Sequence, residues 1–191
     1  MQDLLARIRA CTICSEHLPE GPRPVFAAST ASRIVVIGQA PGRKVHMSGI
    51  PWDDPSGNLL RTWLEVDRTA FYDPDRVALI PMGFCYPGKG SSGDLPPRPE
   101  CAPQWHDALL EKMSSVRLTL LIGQYAQRHY LRDRVGKNLT ETVRHFEQYL
   151  PEYLPLPHPS PRNRFWLKKN PWFEEEVLPV LRMRVRSALQ A

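Results

Sequence analysis

The sequence predicts an α/β fold in which helices pack on both sides of a short parallel β-sheet. Apolar runs of strand length alternate with amphipathic stretches of helix length along the whole chain, as is typical of such sheets. With 191 residues, of which 42% are hydrophobic and 24% charged, the chain has the size and composition of one globular domain. We see no internal repeat or linker, so we predict a single domain over residues 1–191. The composition excludes fibrous and wholly disordered proteins.

Strands and helices are predicted from the spacing of apolar residues. The strands are expected at residues 33–38, 77–80, 118–122 and 153–156. The helices are expected at residues 56–67, 103–113, 124–132, 139–149 and 171–189. Ser56, which follows Asp54 and Pro55, is the expected cap of the first of these helices. Pro179 is expected to kink or divide the last one.

Charge and hydropathy indicate what kind of partner and location the protein can have. Lys and Arg exceed Asp and Glu by 25 to 20, and a net charge of +5 is compatible with a polyanionic partner without demonstrating one. The longest apolar runs are too short to span a membrane, and the first residues lack the basic start of a secretory signal. We therefore expect a soluble, cytoplasmic monomer.

Prolines cluster in two segments. Six lie between Pro81 and Pro103 and six between Pro151 and Pro171, out of twenty in the chain. Because proline fixes φ and lacks an N–H donor, both segments are predicted to be rigid, irregular loops. Long ordered loops often carry function.

The expected ligand site lies beyond the carboxyl ends of the strands, as in other parallel sheets. Three segments follow predicted strands or precede helices there: the small-residue turn 38–42, the aromatic and acidic segment 51–55, and the loop 158–163, in which prolines flank His158. Each has a purely structural alternative. The turn can be a tight strand exit, and His158 can be a structural hydrogen-bonding group.

The four cysteines form one pattern. Cys11 and Cys14 make a Cys-x-x-Cys, and Cys85 and Cys101 follow at a separation of 16 positions. A disulfide framework is not expected in a reducing compartment. Four thiolates suit zinc or an iron–sulfur cluster, and the loose second pair in a Pro-rich loop is compatible with the larger cluster. Four buried or free thiols are the remaining alternative.

Taken together, these motifs resemble those of the iron–sulfur (family four) uracil-DNA glycosylases. The resemblance rests on Gly38-Gln39-Ala40-Pro41-Gly42, Gly49-Ile50-Pro51-Trp52, Pro55-Ser56-Gly57-Asn58-Leu59-Leu60, His158-Pro159-Ser160-Pro161 and the cysteine spacing. In that family the first motifs read Gly-Glu-Ala-Pro-Gly and Gly-x-Pro-Phe-x-x-Pro-Ser-Gly-x-Leu-Leu, in the same register. The resemblance covers residues 11 to 163.

This resemblance implies a three-layer αβα sandwich with a short central parallel sheet and a site for a flipped-out base. It implies a [4Fe–4S] cluster on Cys11, Cys14, Cys85 and Cys101, with zinc as the alternative. Trp52 stands where the family has the Phe that stacks on uracil. His158 stands where the family's histidine hydrogen-bonds uracil O2 and stabilises the departing base anion. Gly38, Gln39 and Ala40 would contact the base through backbone groups.

The sequence departs from the family at two positions. Gln39 replaces a Glu, so it can hold a water molecule but cannot take its proton. Asp53 is the candidate replacement for that carboxylate, although Asp53 and Asp54 can equally serve as helix-capping residues. The family also has a base-reading Asn four residues before the third cysteine, where this chain has Pro81. Backbone groups of residues 81–84, with Phe84 as a substrate-binding residue, are the candidate substitutes.

A DNA-binding surface is expected beside His158. The loop after it would press into the minor groove, and the segment 162–186 carries seven basic and three acidic residues. The candidate DNA-binding residues are Ser160, Arg162, Asn163, Arg164, Lys168, Lys169 and Lys89. Phe165 and Trp166 lie among them, as stacking residues or as core contacts.

These expectations add up to a monofunctional DNA N-glycosylase that excises uracil or a related deaminated base and leaves an abasic site. Its expected partner is DNA that contains such a base. His158, Gln39 and Asp53 are the expected catalytic residues. The alternative is a non-catalytic nucleic-acid-binding module, in which a structural metal or cluster clips the chain and the pocket only recognises a base.

Overall fold

Four of the six strands form one parallel sheet, as the sequence predicts. In the computed structural model, which describes residues 1–190, the strands are β1 (Ile34–Ile37), β2 (Val77–Leu79), β3 (Lys89–Gly90), β4 (Gly93–Asp94), β5 (Leu118–Ile122) and β6 (Tyr153–Leu156). The sheet order is β2-β1-β5-β6, with every neighbouring pair parallel. Strands β3 and β4 form a separate antiparallel hairpin.

Helices occupy the connections between these strands. They are α1 (Gln2–Arg9), α2 (Arg43–Ser48), α3 (Pro55–Leu64), α4 (Arg68–Tyr72), α5 (Cys101–Glu111), α6 (Gln124–Leu131), α7 (Leu139–Arg144), α8 (Arg164–Lys169) and α9 (Leu178–Gln190). A π-helical segment, Phe173–Val177, leads directly into α9. Within residues 1–190, no helix is long and apolar enough to cross a membrane.

The sheet lies between two helical layers, so the predicted αβα sandwich is confirmed. Successive residues of β1 point to opposite faces, with Ile34 and Val36 on one and Val35 and Ile37 on the other. The first face packs against apolar residues of α3, α4, α7 and α9. The second packs against those of α1, α5 and α6. Because β1 is buried on both faces, its sequence is apolar throughout rather than alternating.

Prolines are tolerated in the regular elements because of where they lie. Pro155 is in β6, which is an edge strand, so its missing N–H leaves no neighbouring strand without a donor. Pro179 is the second residue of α9, directly after the π-helical segment Phe173–Val177, and it cannot donate a helical hydrogen bond to that segment. The predicted division of the C-terminal helix therefore corresponds to the change from the π-helical segment to α9.

Several local predictions need correction. Asp54, not Ser56, caps α3, since its carboxylate accepts a hydrogen bond from Gly57 N at 2.8 Å and Pro55 is the first helical residue. The helix predicted at 139–149 ends at Arg144 and continues as the 3₁₀ turn Phe146–Tyr149. The second Pro-rich segment also contains α8, which proline spacing alone did not indicate. Helices α1, α2 and α4 and the β3–β4 hairpin were not predicted either.

Candidate functional site

A pocket opens at the carboxyl ends of the sheet strands, where the sequence predicts a ligand site. The turn after β1, the segment before α3 and the loop after β6 meet there. The lining residues are Val25, Gly38, Gln39, Ala40, Pro41, Gly42, Val45, Pro51, Trp52, Asp54, Leu79, Pro81 and His158. The structure therefore brings Gln39, Trp52 and His158 together from three separate parts of the chain.

The turn 38–42 is fastened to the segment that follows β2. The carbonyl oxygens of Gly38 and Gln39 accept hydrogen bonds from Met82 N at 2.9 Å and Gly83 N at 3.0 Å. The N–H groups of Gln39 and Ala40 have no acceptor within residues 1–190. A rigid turn that leaves its amide donors unpaired beside a pocket is suited to hold an oxygen atom of a ligand.

Trp52 forms one wall of the pocket, and its backbone is held in an unusual conformation. Its φ of 58° lies in the left-handed region, which is rare for a large side chain. Two glycines make room for it. A Cβ atom at Gly38 would lie 2.7 Å from Trp52 Cζ2, and one at Gly57 would overlap the Trp52 carbonyl oxygen. These contacts explain why glycine is needed at both positions.

His158 lies directly against Trp52 and is fixed by its own loop. The two ring centroids are 5.6 Å apart and the planes are inclined by 30°. The His158 carbonyl accepts hydrogen bonds from Ser160 N at 2.8 Å and from Asn163 Nδ2 at 2.7 Å. Burial lowers the pKa of His158, and the nearby Asp54 carboxylate opposes this effect. A neutral imidazole in a fixed position can donate one hydrogen bond into the pocket.

Asp53 does not line this pocket, so the structure does not support it as the water-activating group. Its carboxylate lies 3.4 Å from Arg68 Nη2, on the outer side of the segment. The neighbouring Asp54 lines the pocket instead, with Oδ1 committed to the cap of α3. Asp54 is the N-cap of α3 and Asp53 precedes the cap, so the two carboxylates have different partners.

Phe84 is also misassigned as a base contact. Its ring is 1% exposed and packs in the core, with the ring of Phe26 at 5.0 Å and that of His106 at 5.7 Å. The amides of residues 82–84 are all used: Met82 N and Gly83 N bond to the turn, and Phe84 N donates to Cys101 Sγ at 3.4 Å. Pro81 has no N–H at all. This wall of the pocket therefore offers a ligand no backbone donor from residues 81–84.

A wide polar cleft adjoins the pocket on its outer side. The two share Gln39, Ala40, Gly42, Asp54 and His158. Ser56, Ser92, Gly93, Asp94, Ser160 and Arg162 complete the cleft. Asp94, at the end of β4, was not singled out from the sequence, because it lies in a Gly- and Pro-rich loop with no periodic pattern. The cleft gives a ligand in the pocket room to extend into solvent.

The comparison with known families bears on this arrangement. Residues 25–182 match the family model described as the uracil DNA glycosylase superfamily. The chain belongs to this superfamily. The match covers the sheet, the pocket and the cleft, and it begins after Cys11 and Cys14. Membership supports a glycosylase-type hydrolase with DNA as its substrate or partner.

In a superfamily member, the exposed basic residues near the pocket are of particular interest. Arg162, Arg164, Lys168 and Lys169 are exposed on the loop after His158 and on α8, and Lys89 is exposed on the hairpin. Ser160 and Asn163, by contrast, make hydrogen bonds inside the loop: Ser160 Oγ accepts from Arg162 N, and Asn163 holds the His158 carbonyl. For these two residues the structure supports a positioning role.

The aromatic residues of this segment divide into two groups. Phe165 is 78% exposed, the largest exposure among the large hydrophobic residues of the described chain. Trp166 packs inward, with its Nε1 donating to Thr140 Oγ1 at 2.8 Å and its ring 5.7 Å from that of Phe173. Phe165 is therefore available to a partner, whereas Trp166 is a core contact.

The four cysteines line a second cavity beside the first Pro-rich loop. Phe84, Arg98 and Trp105 are among its other lining residues. Burial raises the pKa of the Cys85 thiol to about 11 and that of the Cys101 thiol to about 12, and the pKa of Cys14 is also raised. Within residues 1–190, no three His, Cys, Asp or Glu side chains are close enough together to hold a single metal ion.

Proposed function

We propose that this protein is a monofunctional DNA N-glycosylase that excises uracil or a related deaminated base and leaves an abasic site. The observation that carries the proposal is the pocket in which Trp52, His158 and the unpaired amides of the turn 38–42 meet. An enzyme acting on a base in DNA must extrude that base and hold it by its faces and edges. The pocket offers an aromatic face and a few convergent polar groups.

Each wall of the pocket has a role in this proposal. Trp52 stacks on the flipped base, as aromatic side chains do on unstacked bases. His158, neutral because of burial, donates a hydrogen bond to a base oxygen, and this bond strengthens as the base leaves as an anion. The N–H groups of Gln39 and Ala40 bind further negative charge or a water molecule.

Base selectivity follows from the donors that remain in the pocket. Residues 81–84 offer no free backbone N–H, and Leu79 and Pro81 make this wall apolar. The Gln39 carboxamide lines the pocket and carries both a hydrogen-bond donor and an acceptor. We therefore propose that Gln39 reads the base edge. Base selectivity would then differ from that of a pocket in which an asparagine opposite the turn 38–42 reads the base.

DNA would lie across the cleft, in contact with α8 and the hairpin. Arg162, Arg164, Lys168, Lys169 and Lys89 are the proposed phosphate contacts. The exposed Phe165 is placed to stack on an unpaired base or a sugar face.

We also propose that Cys11, Cys14, Cys85 and Cys101 hold a [4Fe–4S] cluster, with zinc as the alternative. All four thiols line one cavity, which supports a group bound by all of them. Such a cluster would act as a structural cross-link between the N-terminal segment and the first Pro-rich loop. Brown protein that absorbs at about 400 nm and contains iron would support the cluster, whereas colourless protein that contains zinc would contradict it.

The proposed activity is tested with a panel of oligonucleotides. Single-stranded and duplex DNA carrying uracil, hypoxanthine, xanthine or a thymine mismatch is incubated with the protein, and abasic sites are then cleaved with alkali. Release of at least one base, lost in His158→Ala, is the expected result. If no base is released while DNA binding persists, the protein is a nucleic-acid-binding module instead.

A further inference from the structure

The polar cleft contains one carboxylate that the proposed function does not yet use. Hydrolysis of an N-glycosidic bond needs a water molecule at C1′ of the sugar and a group that accepts its proton. Gln39 cannot accept a proton, and the Asp53 carboxylate lies outside the cleft beside Arg68. The acidic residues that do line the cleft are Asp54 and Asp94.

Asp94 lies in the cleft, next to the turn 38–42. A Cβ atom at Gly42 would be 3.4 Å from Asp94 Oδ2, so the carboxylate lies against the turn that closes the base pocket. The cleft and the pocket share Gln39 and His158. If a base fills the pocket, its sugar emerges into this cleft, on the side where Asp94 is exposed.

The two carboxylates differ in what they already bind. Asp54 Oδ1 accepts a hydrogen bond from Gly57 N at the start of α3. The Asp94 carboxylate makes no hydrogen bond within residues 1–190, and no Lys, Arg or His nitrogen lies within 4 Å of its oxygens there, although its backbone pairs with Lys89 in the hairpin. A carboxylate without a partner at the mouth of the site remains available to a water molecule.

The groups around Asp94 act on its pKa in opposite directions. Partial desolvation has the largest effect and raises its pKa, and Asp54 adds to this effect. Arg162, from the loop after β6, and Lys89, its cross-strand neighbour in the hairpin, act in the opposite direction. His158 is the remaining titratable residue of the cleft. A raised pKa makes an ionised carboxylate a better proton acceptor.

We infer that Asp94 is a catalytic residue of the reaction proposed above, on which this inference rests: its carboxylate accepts a proton from the attacking water. The water oxygen forms a bond to C1′ as the bond from C1′ to the base nitrogen breaks. The bonding electron pair leaves with the base as an anion, which then takes a proton from solvent. Asp94 releases the water's proton to solvent, so no further reactant is needed.

The inference is tested by single-turnover base release from the panel oligonucleotide that the wild-type protein processes fastest. Asp94→Asn keeps the shape of the side chain but removes its basicity. We expect its rate to fall about 10²- to 10⁴-fold at neutral pH, with DNA affinity nearly unchanged. Asp133→Asn, on the exposed 3₁₀ turn Arg132–Arg134, is the matched control and should keep the wild-type rate.

The pH profile separates catalysis from a structural effect. A carboxylate acts as a base only when ionised, so the wild-type rate should fall as the pH drops towards the raised pKa of Asp94, and Asp94→Asn should lose this dependence. A wild-type pH profile in Asp94→Asn overturns the inference. So does a loss of rate in Asp54→Asn instead of in Asp94→Asn. Asparagine at position 54 is still a good helix cap, so such a loss would not come from the cap. Absence of base release from the wild-type protein contradicts the proposed function itself.

Discussion

The indole of Trp52 stacks on the imidazole of His158, with ring centroids 5.6 Å apart. Trp52 precedes α3 and His158 follows β6, so this contact joins two distant parts of the chain at the carboxyl ends of the sheet strands. The same pair closes one side of the pocket, and Gly38 lies within contact distance of the indole. In the proposed function, the two rings that stack on the base and donate a hydrogen bond to it thus support each other.

Removing the indole should weaken base binding. Because stacking contributes about 1–3 kcal/mol per base, Trp52→Ala should lower the apparent affinity for the processed oligonucleotide about 10- to 100-fold. Trp52→Phe, which keeps an aromatic face, should lose less. Single-turnover rates measured against protein concentration give this affinity. Equal losses in both variants would show that the ring does not stack on the base.

Gly57 should tolerate no side chain. A Cβ atom there would overlap the Trp52 carbonyl oxygen, which is backbone and cannot rotate away. Gly57→Ala should therefore lower the free energy of unfolding by about 1–3 kcal/mol or more, as overpacking does elsewhere. Thr62→Ala, at an exposed position of the same helix, should change it by less than about 0.5 kcal/mol. Urea unfolding measures both, and equal stability of the two variants would contradict the prediction.

His106 should make the fold sensitive to acid. It is 1% exposed, its Nδ1 lies 2.6 Å from Tyr130 Oη and its Nε2 lies 3.0 Å from the carbonyl oxygen of Pro81, and burial lowers its pKa to about 4. In the unfolded chain this pKa is near 6.5. Stability should thus be constant above about pH 6.5 and decrease as the pH falls towards about 4, because only the unfolded state takes up the proton.

The total decrease attributable to His106 is about 3 kcal/mol, at about 1.4 kcal/mol per pH unit. Denaturant unfolding at several pH values measures it. His106→Gln should lose stability at neutral pH but show a flatter dependence on pH, whereas His17→Gln, an exposed control, should behave like the wild type. An unchanged slope in His106→Gln would mean that other groups cause the acid sensitivity.

Loss of one cysteine should release the proposed cluster. Cys101 is buried at the start of α5 and accepts a hydrogen bond from Phe84 N, so Cys101→Ser changes a ligand with little change of shape. Iron content and the absorbance near about 400 nm should fall together, and the melting temperature should fall with them. Ser15→Ala, beside Cys14, is the control. Full iron content in Cys101→Ser would remove this cysteine from the ligand set.

The sequence predicts the sheet well because each sheet strand is an apolar run that is buried on both faces, as in β1 and β5. It predicts Trp52, His158 and Gln39 at one site because Gln39 and His158 lie in motifs that follow strands and Trp52 lies in a motif that precedes a helix. The sequence could not show which of Asp53 and Asp54 lines the pocket, because this depends on which carboxylate turns inward at the start of α3. Asp94 was missed because its hairpin has only two residues per strand and no apolar period.

Phosphate contacts should be concentrated on α8. Lys168 and Lys169 are exposed in its last turn, close in sequence to the loop that holds His158. Each contact that is lost should lower the slope of log affinity against log salt by about 0.9. The double variant Lys168→Ala, Lys169→Ala should therefore weaken binding to all sequences alike and reduce this slope by about 2. Lys112 is at the end of α5, before β5, and therefore lies at the opposite edge of the sheet. Lys112→Ala should leave both the affinity and the salt slope unchanged. Fluorescence anisotropy at several salt concentrations measures them, and an unchanged slope in the double variant would place the DNA path away from α8.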